Sequence, residues 1–204
     1  MSPVRIWLER LPPASGNPIE TRLAYKRAAA EAVRERLVAE LPGIDLGIMR
    51  RGPNGKPYLP PPYERIGFNP SDSGGWCLIG LVEDADIGVD LEARRTRPKA
   101  LAVARRHFQP MEVAWLEAQS DTDHAFLRLW TLKEALFKAI GRGLGYGLGN
   151  ACFQPSSDGQ LRLVALTGDA APAERWQCRE LAIGDALVGA AVWSGATRKV
   201  RLTY

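Results

Sequence analysis

WCLIGLVEDADIGVDLEARR, Trp76 to Arg95, reads as two apolar runs divided by an acidic turn, Glu83 to Asp86. Trp76 to Leu81 and Ile87 to Leu91 are short and rich in Ile, Val and Leu, which predicts two strands, paired as a hairpin or lying side by side. In the second run, alternation puts Ile87, Val89 and Leu91 on one face and Gly88, Asp90 and Glu92 on the other. Two carboxylates then point the same way. At about 7 Å apart they repel by roughly 2 kcal/mol at an effective dielectric near 20, so a cation belongs beside them. Arg94 or Arg95 would serve as an ordinary ion-pair partner, and so would Mg²⁺ shared with phosphate oxygens.

Immediately upstream, GFNPSDSGGW (Gly67 to Trp76) collects glycine, proline, serine, asparagine and Asp72, the composition of a turn-rich loop. Further back, Arg50 to Pro62 is irregular, with Asn54-Gly55 as a turn that leads into Lys56-Pro57-Tyr58. ETRLAYKRAAAEAVRERLVAEL carries Leu23, Ala30, Val33, Leu37 and Leu41 at helical spacing and predicts an amphipathic helix with a basic outer face. Residues 3 to 8 suit an edge strand.

Downstream, Pro98 and Pro110 open two short helices, reaching Arg106 and about Ala118. Asp123 is placed to cap a long helix, Ala125 to Ile140, which Gly141 or Gly143 stops. Its sequence, LWTLKEALFKAIGRGL, is apolar almost all round, so Lys133, Glu134 and Lys138 are carried close to a core where charge needs a partner. An i,i+4 pair between Glu134 and Lys138 is the simplest one. From Ala151 on, ACFQP, QLRLVAL, RWQCREL and ALVGAAVW read as strands, with Asp158-Gly159 as a hairpin turn. The order strand, helix, strands, helices, strands predicts an α+β fold in two halves, residues 1–95 and 96–204.

The 204 residues are 46% hydrophobic and carry a net charge of +4, with arginines gathered at Arg50, Arg51, Arg94 to Arg97, Arg105 and Arg106. That is enough chain for a real core, and the charge suits acidic or phosphorylated partners. No run approaches the roughly eighteen apolar residues of a membrane span and no secretory leader is evident, so a cytoplasmic protein is expected. Cys77, Cys152 and Cys178 are odd in number and widely spaced, with only two histidines beside them, which argues against a disulfide framework or a zinc site. Neither GxxxxGK[ST] nor GxSxG occurs.

Taken in order, GKPY (Gly55 to Tyr58), FNxSxS (Phe68 to Ser73), IGVDLE (Ile87 to Glu92), HFxxxE (His107 to Glu112) and WTLKEALFKAIGRGL (Trp130 to Leu144) resemble the two-lobed 4'-phosphopantetheinyl transferases that act on acyl and peptidyl carrier proteins. The resemblance implies two pseudo-twofold-related lobes, each a small, mainly antiparallel sheet packed by helices, with coenzyme A in the cleft between them. It implies an enzyme that moves phosphopantetheine from coenzyme A to a carrier serine and releases adenosine 3',5'-bisphosphate; the length lets one chain contain both lobes, so a monomer is expected, with no nucleic-acid or membrane partner. Asp90, Glu92 and Glu134 would hold Mg²⁺ against the pyrophosphate, Lys133 and Lys138 would neighbour its oxygens, and Glu112 or Glu134 would take the serine proton. Ser71, Lys56, Arg51 and Lys26 would meet the nucleotide phosphates, and the basic surface from Arg94 to Arg106 would steer an acidic carrier. A non-catalytic relative that binds coenzyme A or a carrier protein, or another Mg²⁺-dependent phosphotransferase, is the alternative.

One residue departs from the family pattern. FNxSHS becomes FNPSDS, so Asp72 stands where the resemblance places a histidine facing the 3'-phosphate of coenzyme A. A carboxylate about 4 Å from a phosphate costs several kcal/mol per charge pair at a dielectric near 20. Asp72 either turns to the backbone amides of the Ser73-Gly74-Gly75 turn, is protonated or bridged by a cation, or marks a donor without that phosphate.

Overall fold

Two sheets lie face to face in the computed structural model, which describes residues 1–204 apart from the side chains of Ile48 and of Leu144, the last residue of the long helix motif. The elements are β1 (Val4–Arg10), α1 (Pro18–Glu40), β2 (Arg50–Arg51), β3 (Pro57–Tyr58), β4 (Ile66–Ser73), β5 (Trp76–Glu83), β6 (Ile87–Ala93), α2 (Ala100–His107), α3 (Pro110–Glu117), α4 (Thr122–Ile140), β7 (Ala151–Pro155), β8 (Leu161–Leu166), β9 (Trp176–Leu181), β10 (Leu187–Ser194) and β11 (Val200–Thr203). One sheet runs β11-β1-β5-β4 and the other β6-β10-β9, with β2-β3 and β7-β8 as separate hairpins. Among the described residues only the β1 to β11 pairing is parallel. The fold is α+β, as expected.

Alternation along the strands sorts the core into three layers. Ile6, Leu8, Leu78, Ile87, Val89, Leu91 and Trp193 fill the space between the sheets. Trp7, Cys77, Ile79 and Leu81 face the other way, against Val33 and Leu37 of α1. On the far side of the second sheet, Ala190 and Val192 meet Leu129, Leu132 and Leu136 of α4. The order of layers is therefore helix, sheet, sheet, helix.

Several sequence expectations are corrected here. β1 is an inner strand rather than an edge, because β11 returns to pair with it. β5 and β6 share no ladder. They cross from one sheet to the other, and the chain allows this where Gly80 lacks a side chain: a Cβ there would lie 2.5 Å from Val89 Cγ1. As a result β6 joins β10, and β11 joins β1, across the expected division at residue 95. The FNPSDS segment is strand β4, and its turn is only Gly74-Gly75, both at positive φ, which suits a two-residue hairpin.

α1 starts at an Asn17 capping box with Pro18 in its first turn, but its buried stripe is Ala29, Ala32, Val33 and Leu37. Leu23 is exposed, off that stripe. α4 is capped by Asp121, two residues before the expected Asp123, and ends on Gly141 at φ +81°.

α4 lies directly on β6. A Cβ built on Gly88 would lie 2.0 Å from the Ala135 carbonyl oxygen and 2.4 Å from the Ala139 nitrogen, so only glycine lets the helix backbone rest on the strand. Gly88→Ala must push α4 away and is expected to destabilise by about 3 kcal/mol. Gly145→Ala, which meets nothing within 4 Å, serves as the control. Equal denaturation midpoints for the two variants would contradict this account of the contact.

Candidate active site

β4 and β6 sit beside one another in different sheets, and side chains replace the missing ladder. Asn69 Oδ1 accepts from Val89 N at 2.9 Å, Ser71 Oγ from Leu91 N at 3.2 Å and Ser73 Oγ from Ala93 N at 3.0 Å. Every second residue of β4 thus satisfies every second amide on the open edge of β6. The FNxSxS spacing is the physical signature of that seam. Asn69 and Ser73 were not among the expected site residues, although their period of two matches that of the strand they serve.

Within the seam, between the Val89 and Leu91 amides, lies Asp90, which is 5% exposed. Lys138 Nζ lies 2.7 Å from Asp90 Oδ1, 3.0 Å from Ser71 Oγ and 3.2 Å from the Val89 carbonyl. Ser71 Oγ also donates to Asp90 Oδ1 at 2.9 Å. The expected helical pair of Glu134 with Lys138 gives way to this one, because the seat at Gly88 brings Lys138 within reach of β6. Glu92 accepts from Arg97 Nη2 at 2.7 Å, a partner that the sequence reading did not single out.

Glu134 stands among these charges. Burial, then the charge of Asp90, pushes its carboxyl above the usual range, with Glu92 adding to the effect and Lys138 opposing it. Among the described residues no three His, Cys, Asp or Glu side chains converge tightly enough to cage a metal. The residues nonetheless fit a hard cation shared with phosphates, which needs only one or two carboxylates. Asp90 Oδ2 is buried without a hydrogen-bond partner, and Glu134 carries a charge that its neighbours penalise.

The other expected cations are placed differently. Lys56 donates to the Ala139 carbonyl at 2.6 Å and to Asp86 at 2.8 Å, tying the β2-β3 hairpin to the end of α4. Arg51 is exposed on that hairpin, with Nη1 on the Gly55 carbonyl. Asp72 accepts from Lys26 of α1 at 2.7 Å. Its carboxylate is therefore bridged by a cation, and the turn to backbone amides does not occur, because β4 continues in register with β5 through Ser73. A pocket of about 490 Å³ opens beside this pair, walled by Tyr25, Gly75 and Trp76. A larger groove, about 1340 Å³, runs along β9 and touches none of these side chains.

The basic surface is partly compensated, Arg94 by Asp121, Arg97 by Glu92 and Arg105 by Glu117.

Glu112 and Lys133 lie apart from the Asp90 cluster. Both side chains are 0% exposed and pair at 2.8 Å. Glu112 also accepts from Gln109 N and Phe153 N, both at 2.9 Å, closing the capping box of α3. Lys133 donates to the Leu148 carbonyl at 2.9 Å and lies over the Phe108 ring. Burial lowers its proton affinity, and Glu112 pulls it back up. This pair braces α3 and β7 against α4 and has no open coordination for a phosphate or a substrate proton. Sequence could not separate Lys133 from Lys138, because both follow the same motif while facing opposite ways around α4.

Two measurements check this assignment. Lys133→Met leaves a buried carboxylate unpaired and should cost about 3–5 kcal/mol, whereas adding Glu112→Gln should recover most of that loss. Additive losses would contradict a mutually dependent pair.

For Glu134 the sign follows from its raised proton affinity. The folded state holds the proton over a pH range where the unfolded chain has released it, so stability falls as pH rises from near 4.5 through the raised value. Glu134→Gln should remove that fall and unfold at higher denaturant concentration at neutral pH. A variant less stable than the natural protein at neutral pH would refute the electrostatic reading.

A model of the 4'-phosphopantetheinyl transferase superfamily matches residues 86–191, from the turn before β6 into β10. The 4'-phosphopantetheinyl transferase psf-1 of Bacillus pumilus is 40% identical over 112 residues, 54% of this chain and 46% of that one. The 4'-phosphopantetheinyl transferase Sfp of Bacillus subtilis (strain 168) is 34% identical over 112 residues, 53% and 48% of the two chains. Holo-[acyl-carrier-protein] synthase of Thermotoga maritima covers 57% of this chain and 64% of its own, at 22% identity and a TM-score of 0.44. The chain spans about half the length of the curated relatives it matches. With the matched region taking in more than half of its residues, Asp90, Glu92, Glu134 and Lys138 among them, this chain belongs to the 4'-phosphopantetheinyl transferase superfamily.

Proposed function

We propose that the protein transfers 4'-phosphopantetheine from coenzyme A to a serine of an acyl or peptidyl carrier protein, with Mg²⁺, and releases adenosine 3',5'-bisphosphate. Family membership supports the reaction class. The single structural observation behind it is the Asp90 and Lys138 contact beside Glu134, which joins opposite charges at one point between β4, β6 and α4.

Asp90 and Glu134 would hold Mg²⁺, with Glu92 beside them steadied by Arg97. The ion would supply positive charge against the pyrophosphate, and so stabilise the leaving bisphosphate. Lys138 adds an ammonium to the same oxygens. In the reaction, the carrier serine oxygen bonds to the phosphorus that bears pantetheine, and the anhydride bond to the adenosine phosphate breaks. Glu134 accepts the serine proton, directly or through water, its proton affinity being raised by burial and by the charge of Asp90. This reading gives the step to Glu134 and not to Glu112, both of whose oxygens accept from backbone amides.

On this reading Arg51 and Lys26 meet the nucleotide phosphates from the side of the first sheet. Asp72 is already paired with Lys26, which reduces the repulsion that a lone carboxylate would exert on the 3'-phosphate. The enzyme works as a cytoplasmic monomer, without nucleic-acid or membrane partners. Among the described residues no helix is long and apolar enough to cross a membrane.

The test is to incubate the protein with coenzyme A, Mg²⁺ and several apo carrier proteins and to weigh the carriers. A gain of one phosphopantetheine group, reduced at least about a hundredfold in rate by Asp90→Ala and by Glu134→Ala, is expected. No gain on any carrier would favour a binding relative or another phosphotransferase.

A further inference from the structure

Lys138 occupies Asp90 much as a metal ion would. Its ammonium has three hydrogens and meets three oxygens, a carboxylate, a hydroxyl and a backbone carbonyl, at 2.7, 3.0 and 3.2 Å. An all-oxygen set of this kind is also what a hard divalent cation takes. The second carboxylate oxygen of Asp90 is buried and unpartnered, so the lysine satisfies only half of the group.

Charge decides what happens when ligands arrive. With all three carboxylates ionised, Asp90, Glu92 and Glu134 set against Lys138 and Arg97 give the cluster one negative charge in excess. A divalent cation entering alone would reverse that excess and be repelled by the ammonium beside it. A cation arriving with a diphosphate ester, which carries about two negative charges, would leave the balance where it began.

We propose that Lys138 is a resident counter-cation. It neutralises Asp90 in the free protein, competes with Mg²⁺ for that carboxylate, and releases it when a diphosphate offers the ammonium another anion. Metal and diphosphate then strengthen each other's binding by the same factor, and neither binds well alone. This rests on the reading of Asp90 and Glu134 as the metal-holding carboxylates.

The experiment is calorimetric titration of Mg²⁺ into the natural protein, Lys138→Met and Lys138→Arg, without any phosphate compound. Lys138→Met is expected to bind Mg²⁺ at least about tenfold more tightly than the natural protein, and Lys138→Arg to stay weak, because it keeps the charge. Thermal unfolding gives a second readout that uses the variant's own loss of stability. Mg²⁺ should raise the midpoint of Lys138→Met more than that of the natural protein, through preferential binding to the folded state.

Repeating the titration with inorganic pyrophosphate, and with Asp90→Asn to subtract metal bound by pyrophosphate in solution, should show a gain in affinity for the natural protein that is mostly lost in Lys138→Met. Unchanged or weaker Mg²⁺ binding by Lys138→Met overturns the inference, as does an equal pyrophosphate gain in both proteins. Carrier modification by the natural protein alongside either result leaves the transferase reading intact. Tighter Mg²⁺ binding without any carrier modification supports the counter-cation and removes the transferase.

Discussion

The seat of α4 on β6 at Gly88 sets the geometry of everything around it. Where most helices rest on a sheet through side chains, this one brings its own carbonyl and amide to the strand. Two consequences follow within one turn of helix. Glu134 is brought into the field of Asp90 and Glu92, and Lys138 spans the gap to Asp90. A bulkier residue at Gly88 would widen that gap, and the charges that now answer one another would each need water or another partner.

The same strand is held from its other side by a different device. β6 pairs with β10 along one edge, and on the other its amides meet Asn69, Ser71 and Ser73 instead of a backbone ladder. Side-chain acceptors leave the two sheets free to lie face to face while still covering an edge that would otherwise stay open. Ser71 belongs to both arrangements, since it accepts from the Leu91 amide and also touches Asp90 and Lys138. The seam that joins the sheets and the charge cluster are therefore one network, and movement in either is felt in the other.

Much of the secondary structure was legible because it depends on local rules. Alternation in Ile87 to Leu91, the proline starts of α3 and the glycine stop of α4 all follow from backbone preferences that act over a few residues. Misreadings came where partners are distant. FNPSDS has the composition of a loop, yet it is a strand because β5 pairs with its full length. Residues 3 to 8 resemble an edge, yet a strand from the far end of the chain covers them. Leu23 fits a helical period but lies off the face that the first sheet covers.

For the site, sequence by itself determined which chemistry was present: Asp90 and Glu92 on one strand face, Glu134 and Lys138 on one helix, and a family motif that names them together. Tertiary structure alone decided how the charges are divided. Lys133 and Glu112 are spent on each other in the core, Lys138 on Asp90, Arg97 on Glu92 and Lys26 on Asp72. The reason is physical. Residue type and spacing establish that a charge exists and which way it leaves its own helix or strand, but its partner is whichever opposite charge the packing brings within about 3 Å. For Asp72 that partner is Lys26, forty-six residues away on α1, and no local pattern in FNPSDS could have named it.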